Sequence, residues 1–366
     1  MKKVLIIGSI PPPYHGVTIY NYNLLNSKLK DEFELIHLDI SDKRDLDNIG
    51  KLDFHNIFFS LKNCLSLINI LLKGKPNIVY LPVSQNIAFI RDGLFILLSH
   101  YFSKSKIIIH LHGSNFLNYY LKTNKIMKFI INRSLKKVDR AIVLGDSLTY
   151  IFKEWVKNVI VIPNGIDFYP DLRKKRRKPF INLGYMGNIT DERGILNLIY
   201  AVKIIYESFK NFKLIIAGKW MNQDYLKDEV EKKIKKYELE NFIEFVGYIG
   251  GEEKKEFFLN TDIFVCPSIN EGQPLVILEA MAARCPIIAN KGVGAISETI
   301  IDRETGILVD KTKIEELSSA ILELIENESL RLEMGNNSYK RFLECYTLDK
   351  NIEKLISVFN NTLRQK

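Results

Sequence analysis

Short runs of β-branched and aromatic residues alternate with helix-length amphipathic segments along the whole 366-residue chain. Apolar runs bounded by turns are typical of buried strands, and the segments between them are long enough to form crossover helices. The strands predicted in the first half are Val4–Gly8, Glu34–Leu38, Ile78–Leu81, Lys106–Leu111, Arg140–Leu144 and Val159–Ile162. Helices are predicted between them, for example at Thr18–Lys30 and His55–Leu72. The alternation predicts an α/β fold with parallel, doubly wound sheets.

A second alternation follows a strongly basic segment. Arg173–Lys178 is a run of six cations that repel one another and cannot form a core, so we expect a linker there. The strands predicted beyond it are Asn182–Met186, Lys213–Ala217, Phe242–Val246, Asp262–Cys266, Pro286–Ala289 and Gly306–Val309, with helices at Ile195–Phe209 and Ile314–Glu326. We predict two Rossmann-like domains, at 1–167 and 181–347, joined by a linker at 168–180. A C-terminal helix within 348–366, Leu348–Leu363, is expected to pack back against the first domain.

Composition excludes several classes of protein. The apolar runs are shorter than the roughly 18 residues of a membrane span, and the N-terminal run lacks a signal-peptide cleavage site, so a cytoplasmic location is expected. The four cysteines are far apart in the sequence, which indicates reduced thiols and no metal site built on them.

The excess of positive over negative charge is confined to the first half of the chain. Residues 1–165 contain 22 Lys and Arg against 12 Asp and Glu, whereas residues 166–366 contain 30 against 31. A helix over Phe116–Lys137 would place five cations in one sector of about 120°, together with Tyr119, Ile126 and Phe129. Such a face suits an anionic membrane surface, and an ordinary solvated basic face is the alternative. No nucleic-acid-binding motif accompanies the charge.

The segment around Glu271 and Glu279 is the most informative for chemistry. Phe264–Cys266 is predicted to end a buried strand, 268–273 to form a loop, and Pro274 to be the first residue of a helix. The two carboxylates would then flank one crevice at the carboxyl end of a strand, where doubly wound sheets bind ligands. The alternative is that Glu279 is a solvated helix residue.

Two loops of the first domain are also candidates for ligand binding. A proline-rich loop after the first strand leads to Gly16 at a helix start, whose N–H groups attract anions. This loop matches neither the dinucleotide nor the P-loop fingerprint. His110 and His112 lie on one face at the end of a predicted strand. His110 is interpreted as a structural imidazole, whereas His112 is placed where it could reach a ligand.

Further candidates lie in the second domain. Gly187, Asn188 and Arg193 belong to a polar loop between a strand and a helix start. A cation there opposes the helix dipole unless a phosphate binds, so Arg193 is either a phosphate ligand or a solvated side chain. Glu298 lies at the entry of a short helix, where it could accept from hydroxyls or cap the turn.

Together these residues resemble those of a known family. The chain is similar to retaining glycosyltransferases of the GT-B fold, family 4, which includes bacterial polysaccharide and lipopolysaccharide sugar transferases. The resemblance covers nearly the whole chain, and its motifs occur in family order: Pro163–Asp167, Gly187–Gly194, Pro267–Glu271 with Glu279, Ala295–Glu298 and Thr305–Gly306.

The resemblance implies a role for each residue. Glu271 would contact the donor sugar with Gly272, Pro274 and Leu275 beside it, and Glu279 would bind the ribose. Arg193 would hold the diphosphate, while Gly16 and His112 would face it across an interdomain cleft. The family usually has arginine where this chain has Asn188. Lys219, after Gly218 at a strand end, is the expected substitute, with an exposed lysine as the alternative.

The implied activity is transfer of a sugar from a UDP- or GDP-linked donor to a lipid-linked or oligosaccharide acceptor, with retention of configuration. Arg193, Glu271 and His112 are the expected catalytic residues, and neither a metal nor another cofactor is expected. The enzyme would act at the inner face of the cell membrane. The alternatives are a non-hydrolysing nucleotide-sugar epimerase and a catalytically silent binding subunit. The sequence determines neither the donor, the acceptor nor the oligomeric state.

Overall fold

In a computed structural model, the protein forms two compact units. The structure describes residues 1–12, 14–41, 54–175, 179–221 and 224–364. The first unit consists of Met1–Gly165 with Leu348–Lys366, and the second consists of Ile166–Thr347. Each unit is built on a six-stranded parallel sheet, which confirms the predicted α/β fold.

The first sheet is formed by strands that read as nearly continuous apolar runs. They are β1 (Lys2–Ile7), β2 (Phe33–Leu38), β3 (Ile78–Pro82), β4 (Lys106–His110), β5 (Arg140–Val143) and β6 (Val159–Val161). Their order is β2-β1-β3-β4-β5-β6, with Val79 opposite Ile107 and Ile109 opposite Ala141 in the register. Central strands of this kind are buried because helices cover both faces of a parallel sheet.

Seven α-helices are described in the first unit. They are α1 (Gly16–Leu25), α2 (Leu29–Glu32), α3 (Phe54–Gly74), α4 (Phe89–Phe102), α5 (Phe116–Lys122), α6 (Lys125–Leu135) and the C-terminal α14 (Leu348–Arg364). Phe359 of α14 packs against Phe33 and Tyr80, with ring centres 5.7 Å apart in both pairs. The chain therefore returns from the second unit to complete the core of the first.

The second unit repeats the same design. Its strands are β7 (Ile181–Met186), β8 (Phe212–Ala217), β9 (Ile243–Gly247), β10 (Ile263–Cys266), β11 (Ile287–Asn290) and β12 (Gly306–Val309), in the order β12-β11-β10-β7-β8-β9. Its helices are α7 (Ile195–Ser208), α8 (Asp224–Lys236), α9 (Gly251–Leu259), α10 (Leu275–Ala282), α11 (Ile296–Thr299), α12 (Ile314–Glu326) and α13 (Glu328–Cys345).

Two helices predicted as continuous are each broken by polar side chains. Thr18–Lys30 divides into α1 and α2 because the Ser27 hydroxyl donates to the Leu24 carbonyl oxygen, 2.7 Å away, and accepts from the Leu29 N–H at 3.2 Å. Phe116–Lys137 divides into α5 and α6 because the Asn124 side chain accepts from the Met127 N–H at 2.9 Å and so begins a new helix. The prediction of one continuous basic helix was therefore wrong.

The predicted linker at 168–180 is also corrected where the structure describes it. Phe168 is buried in the core of the second unit, with its ring 5.7 Å from that of Phe258. Lys175 donates to the carbonyl oxygen of Ala283 at 3.0 Å. These contacts attach the segment to the second unit, whereas residues 176–178 of the basic run lie outside the described residues.

Two further predictions concern the cysteine thiols and membrane-spanning helices. All four cysteines are free thiols, and three of them are buried. Within the described ranges, no helix has both the length and the apolar character needed to cross a bilayer.

Candidate active site

The strand order of the second sheet reverses between β7 and β10. Strands β8 and β9 extend the sheet on one side of this pair, and β11 and β12 extend it on the other. β7 and β10 are direct neighbours, with Gly184 opposite Phe264. Ligands of doubly wound sheets bind outside the carboxyl ends of strands at such a switch point. The loops that begin there contain Gly187–Gly194 and Pro267–Glu271.

Two glycines determine the path of the loop after β7. Gly187 has a φ of +152°, and a Cβ at this position would meet no described atom within 4 Å. The backbone of Gly187 therefore borders open space that a ligand could enter. Gly194 has a φ of +73°, and a Cβ there would lie 2.1 Å from the carbonyl oxygen of Pro267. Position 194 requires glycine because the two loops touch through their backbones.

Arg193 and Glu271 form an ion pair between the two loops. Arg193 ends a 3₁₀ turn directly before α7, and the Glu271 side chain is only 10% exposed. The Ile269 N–H donates to the Glu192 carbonyl oxygen at 2.8 Å, which holds the loops together beside the pair. The positive charge of Arg193 at a helix start is thus balanced by Glu271, a partner that the sequence analysis did not identify.

The loop after β11 supports Glu271 from a third direction. Gly294 has a φ of +48°, and a Cβ there would lie 2.1 Å from the Glu271 carbonyl oxygen and 2.2 Å from that of Gly272. The Ala295 N–H donates to the Gly272 carbonyl oxygen at 2.7 Å. Since backbone meets backbone here, the position of Glu271 depends on glycine at 294.

Glu279 is buried in α10, with 7% of its surface exposed. Its Oε1 forms an ion pair with Lys254 of α9, whereas its Oε2 is buried and has no hydrogen-bond partner among the described residues. Burial raises the pKa of the Glu279 carboxyl, and the Lys254 cation opposes this rise. A buried polar atom without a partner is uncommon in proteins, and hydroxyl groups of a ligand would supply the missing donors. The solvated-helix alternative for Glu279 is therefore wrong.

Three other predicted donor-site residues lie on the same edge of the sheet, namely Pro274, Leu275 and Asn188. Pro274 is the residue before α10, with an extended ψ of 124°, so the helix begins at Leu275 and not at Pro274 as predicted. Asn188 is exposed, and its carbonyl oxygen lies 3.4 Å from the Tyr185 hydroxyl. Its side chain therefore extends from the loop that borders the open space at Gly187.

Lys219 follows β8, next to the loop that contains Gly187. Its carbonyl oxygen accepts from the Ile189 N–H at 2.8 Å, and its Nζ lies 5.3 Å from the centre of the Tyr248 ring. The backbone of Lys219 thus fixes the loop after β7, while its exposed side chain rests on an aromatic ring. Its assignment as the substitute cation remains a prediction.

Glu298 lies in α11, on the loop that supports Glu271. Its carbonyl oxygen accepts from the Arg341 guanidinium at 2.7 Å and from the Tyr346 hydroxyl at 3.2 Å. These bonds fix the backbone of α11 against the region where α13 ends. They concern the main chain, so the predicted role of the Glu298 carboxylate toward hydroxyls remains a prediction.

His110 and His112 lie side by side in the first unit, with ring centres 4.0 Å apart. His110 is fully buried and its Nδ1 lies 2.6 Å from the Tyr80 hydroxyl, as expected for a structural imidazole. Burial lowers the pKa of His112 to about 4, so its ring is neutral near pH 7. Its Nδ1 contacts Asn164 Oδ1 at 3.2 Å, and its Nε2 is buried without a partner in the described part of the chain.

Gly16 is the exposed first residue of α1, as predicted. The Thr18 hydroxyl accepts from the His15 N–H at 3.0 Å and thereby orders the start of this helix. Among the described residues, no cluster of His, Cys, Asp or Glu has an arrangement that could hold a metal ion.

Lys254 is the functional candidate that the sequence analysis missed. It lies on α9, 25 residues before its partner Glu279. Its neighbour Lys255 has the same residue type and pairs instead with Glu252 on the surface of α9. Only the packing of α9 beside α10 distinguishes the two lysines, so sequence reasoning had no signal that favoured Lys254.

Known proteins similar to this chain include glycosyltransferases. Residues 170–341 match the family of glycosyl transferases group 1. The chain is 29% identical over 371 residues to an uncharacterised glycosyltransferase of Methanocaldococcus jannaschii, MJ1178, covering 96% of this chain and 95% of that protein. It is 30% identical over 183 residues to CapM of Staphylococcus aureus, a capsular polysaccharide biosynthesis glycosyltransferase, covering 50% of this chain and 47% of CapM.

Solved structures share the fold over the full length. Sucrose-phosphate synthase from Thermosynechococcus elongatus has a TM-score of 0.81 at 18% identity, with 100% of both chains covered. Anabaena HepE in complex with UDP-glucose has a TM-score of 0.73 at 16% identity, covering 99% of this chain and 100% of that one. The match to the glycosyl transferases group 1 thus lies in the second unit, over residues 170–341, and the chain has the GT-B fold.

Proposed function

We propose that the protein is a retaining glycosyltransferase that moves a sugar from a nucleotide-sugar donor to a lipid-linked glycan acceptor during cell-surface polysaccharide biosynthesis. One observation carries the donor-binding part of this proposal. The buried Oε2 of Glu279 lacks a partner among the described residues, at the strand edge that also holds the Arg193–Glu271 pair. A ribose has adjacent hydroxyls that would donate to this oxygen.

The donor diphosphate is assigned to Arg193 and to the backbone of the Gly187 loop. A guanidinium has five N–H donors, so Arg193 can bind phosphate oxygens while it still contacts Glu271. The open space in front of Gly187 lets a phosphate approach the main chain. Lys219 is proposed as the second cation in place of the arginine that the family usually has at position 188.

Departure of the nucleotide leaves a dianionic diphosphate and an oxocarbenium-like sugar. Catalysis therefore depends on cations that stabilise the leaving group in the transition state, which is the proposed role of Arg193. Glu271 is proposed to bind the sugar hydroxyls. The leaving phosphate is proposed to accept the proton of the acceptor hydroxyl, because retention requires attack from the face on which the phosphate departs. The Nε2 atom of neutral His112 is proposed to accept a hydrogen bond from a sugar hydroxyl.

The pathway and the nucleotide are proposed from relatives. CapM is a capsular polysaccharide biosynthesis glycosyltransferase, which supports a role in cell-surface polysaccharide assembly. HepE was solved with UDP-glucose, which makes UDP the first nucleotide to test and GDP the second. The excess positive charge of residues 1–165 supports action at the cytoplasmic face of the membrane, where a lipid-linked acceptor would be presented.

Calorimetry with UDP, GDP and their sugars tests donor binding, and product analysis then tests the reaction. We expect micromolar to millimolar binding of one nucleotide, and acceptor-dependent release of that nucleotide when a lipid-linked glycan is supplied. An epimerase would instead convert the nucleotide-sugar without an acceptor. A silent subunit would bind without turnover. Failure of both UDP and GDP to bind would refute the proposed donor site.

A further inference from the structure

The outer face of α3 is apolar where a surface helix normally carries charges. Phe58, Leu61, Leu65 and Leu72 are each more than half exposed, and Leu65 is 68% exposed. Their spacing of three, four and seven residues places them in one stripe along the helix. The opposite face of α3 is already used, since Leu67 and Leu71 are buried in the first unit. The exposed stripe is therefore a second apolar face that the described residues leave uncovered.

Two neighbouring helices extend this apolar face. α3 packs against α4, and α4 packs against α6. Leu94 and Tyr101 of α4 are exposed, as are Ile126 and Phe129 of α6, and Ile126 is 74% exposed. The Arg133 guanidinium of α6 donates to the Tyr101 hydroxyl at 3.3 Å, which ties the two helices together at the surface. Exposed apolar side chains gathered on neighbouring helices are typical of an interaction site.

The same region carries positive charge with almost no counter-charge. Residues 54–138 contain twelve Lys and Arg, and Asp92 is the only acidic residue among them. Asp92 is buried and paired with Arg91. Exposed cations stand directly among the apolar side chains, with Lys62 and Lys73 on α3. Lys125 and Arg133 are exposed on α6, and Lys136 is exposed directly after its last residue.

The charge distribution selects the occupant of this face. A two-fold dimer would place the same acid-free, basic surface of two copies against each other, and like charges would oppose it. An anionic bilayer offers phosphate groups to the cations and an acyl boundary to the leucine, phenylalanine and tyrosine side chains. Both chemistries are required here, because cations and apolar residues are interspersed on each helix.

We propose that the outer face of α3, α4 and α6 docks on an anionic lipid bilayer. The proposal rests on the proposed function for the source of the acceptor, and it identifies the surface that brings the enzyme to that acceptor. It extends the basic face expected from the sequence, because the apolar stripe of α3 and the contribution of α4 appear only when the helices are packed together.

Vesicle flotation tests the proposal with three proteins. The wild type should float with vesicles of equal parts phosphatidylglycerol and phosphatidylcholine, should float weakly with pure phosphatidylcholine, and should lose binding as salt is raised. Two variants should each reduce partition at least tenfold. The double variant Leu61→Ser/Leu65→Ser removes apolar side chains from the docking face. The triple variant Lys125→Glu/Arg133→Glu/Lys136→Glu reverses three surface cations, each of which contributes roughly fivefold to partition. Leu332→Ser, at an exposed leucine of α13 in the second unit, is the matched control and should bind as the wild type.

A local probe separates docking through this face from general adhesion. Phe129→Trp should show quenching of its fluorescence by brominated lipid, whereas Tyr225→Trp, at an exposed aromatic position of α8, should not. UDP binding is measured in parallel and should be unchanged in all variants, so loss of docking and loss of donor binding are distinguishable. The proposal is overturned if the wild type ignores anionic vesicles, or if both multiple variants still bind them. It is also overturned if Leu61→Ser/Leu65→Ser abolishes a concentration-dependent dimer in sedimentation and leaves flotation intact.

Discussion

Substitution of Glu279 by glutamine isolates the contribution of its negative charge to nucleotide binding. Glutamine keeps the size and the acceptor oxygen of the side chain but removes its charge. A hydrogen bond to a charged group contributes about 1.5–3 kcal/mol, whereas one between neutral groups contributes about 0.5–1.5 kcal/mol. The expected loss is therefore about 1–1.5 kcal/mol, which corresponds to a Kd for UDP that is roughly five- to twelvefold weaker.

The structure indicates that this loss appears in binding and not in folding. Burial disfavours the ionised form of the Glu279 carboxyl, so removal of the charge also removes the free-energy cost of desolvating it. Lys254, which loses its partner, has a side chain that is 24% exposed and can turn toward water. We therefore expect little change in the melting temperature of Glu279→Gln without nucleotide.

Calorimetry with UDP and 2′-deoxy- and 3′-deoxy-UDP completes the test as a double-mutant cycle. The wild type should bind at least one deoxynucleotide more weakly than UDP, and Glu279→Gln should show a smaller difference because the partner of that hydroxyl is weakened. Glu304→Gln, at an exposed glutamate of the same unit, is the control and should bind as the wild type. Unchanged UDP affinity in Glu279→Gln, or an undiminished deoxy penalty, would refute the assignment of Glu279 to the ribose.

Three further predictions concern the support of this site. In Lys254→Met, UDP binding should begin to weaken at a higher pH than in the wild type, because loss of the cation raises the pKa of Glu279 and the carboxylate is protonated sooner as pH falls. Lys255→Met is the control and should leave the pH profile of UDP binding unchanged. Identical pH profiles for both variants would contradict this role of Lys254. Gly294→Ala should lower the melting temperature and weaken UDP binding more than Gly292→Ala does. Both glycines have a positive φ, but only a Cβ at position 294 would lie within 3 Å of other backbone atoms. Equal effects of the two substitutions would show that this backbone contact is unimportant. Sugar transfer should persist in EDTA if Arg193 stabilises the leaving group as proposed, and loss of turnover restored by Mg²⁺ would refute that role.

The strands and the sheets could be predicted because buried parallel strands are continuous apolar runs. Gly306–Val309 and Ile314–Glu326 agree with the sequence prediction at both ends. The break between α5 and α6 was not predicted, since amphipathic segments lie on both sides of it. One side-chain hydrogen bond, which Asn124 accepts from the Met127 N–H, begins the new helix there.

The site was predictable only where a motif lies within one segment. Glu271 and Glu279 share a loop and the helix that follows it, so their proximity to the switch point could be inferred. The pairing of Glu279 with Lys254 and the contact of Gly294 with Glu271 join distant segments. Such contacts depend on how helices and loops pack, and neither periodicity nor spacing encodes them in one sequence.

The exposed stripe on α3 illustrates the same limit from the surface side. A sequence pattern shows that a helix has apolar residues, but it does not show which of them the core accommodates. Leu67 and Leu71 are buried, while Leu61 and Leu65 on the same helix remain exposed. The packed structure is needed to distinguish a core face from an interaction face.

A crystal structure with UDP bound tests the central claim most directly. We predict that the ribose hydroxyls lie within about 2.5–3.2 Å of Glu279 Oε2, and that the diphosphate contacts the Arg193 guanidinium and the Gly187 loop. Lys254 should remain on Oε1 of the same carboxylate. UDP bound elsewhere on the molecule, or with its ribose directed away from Glu279, would contradict the proposed donor site.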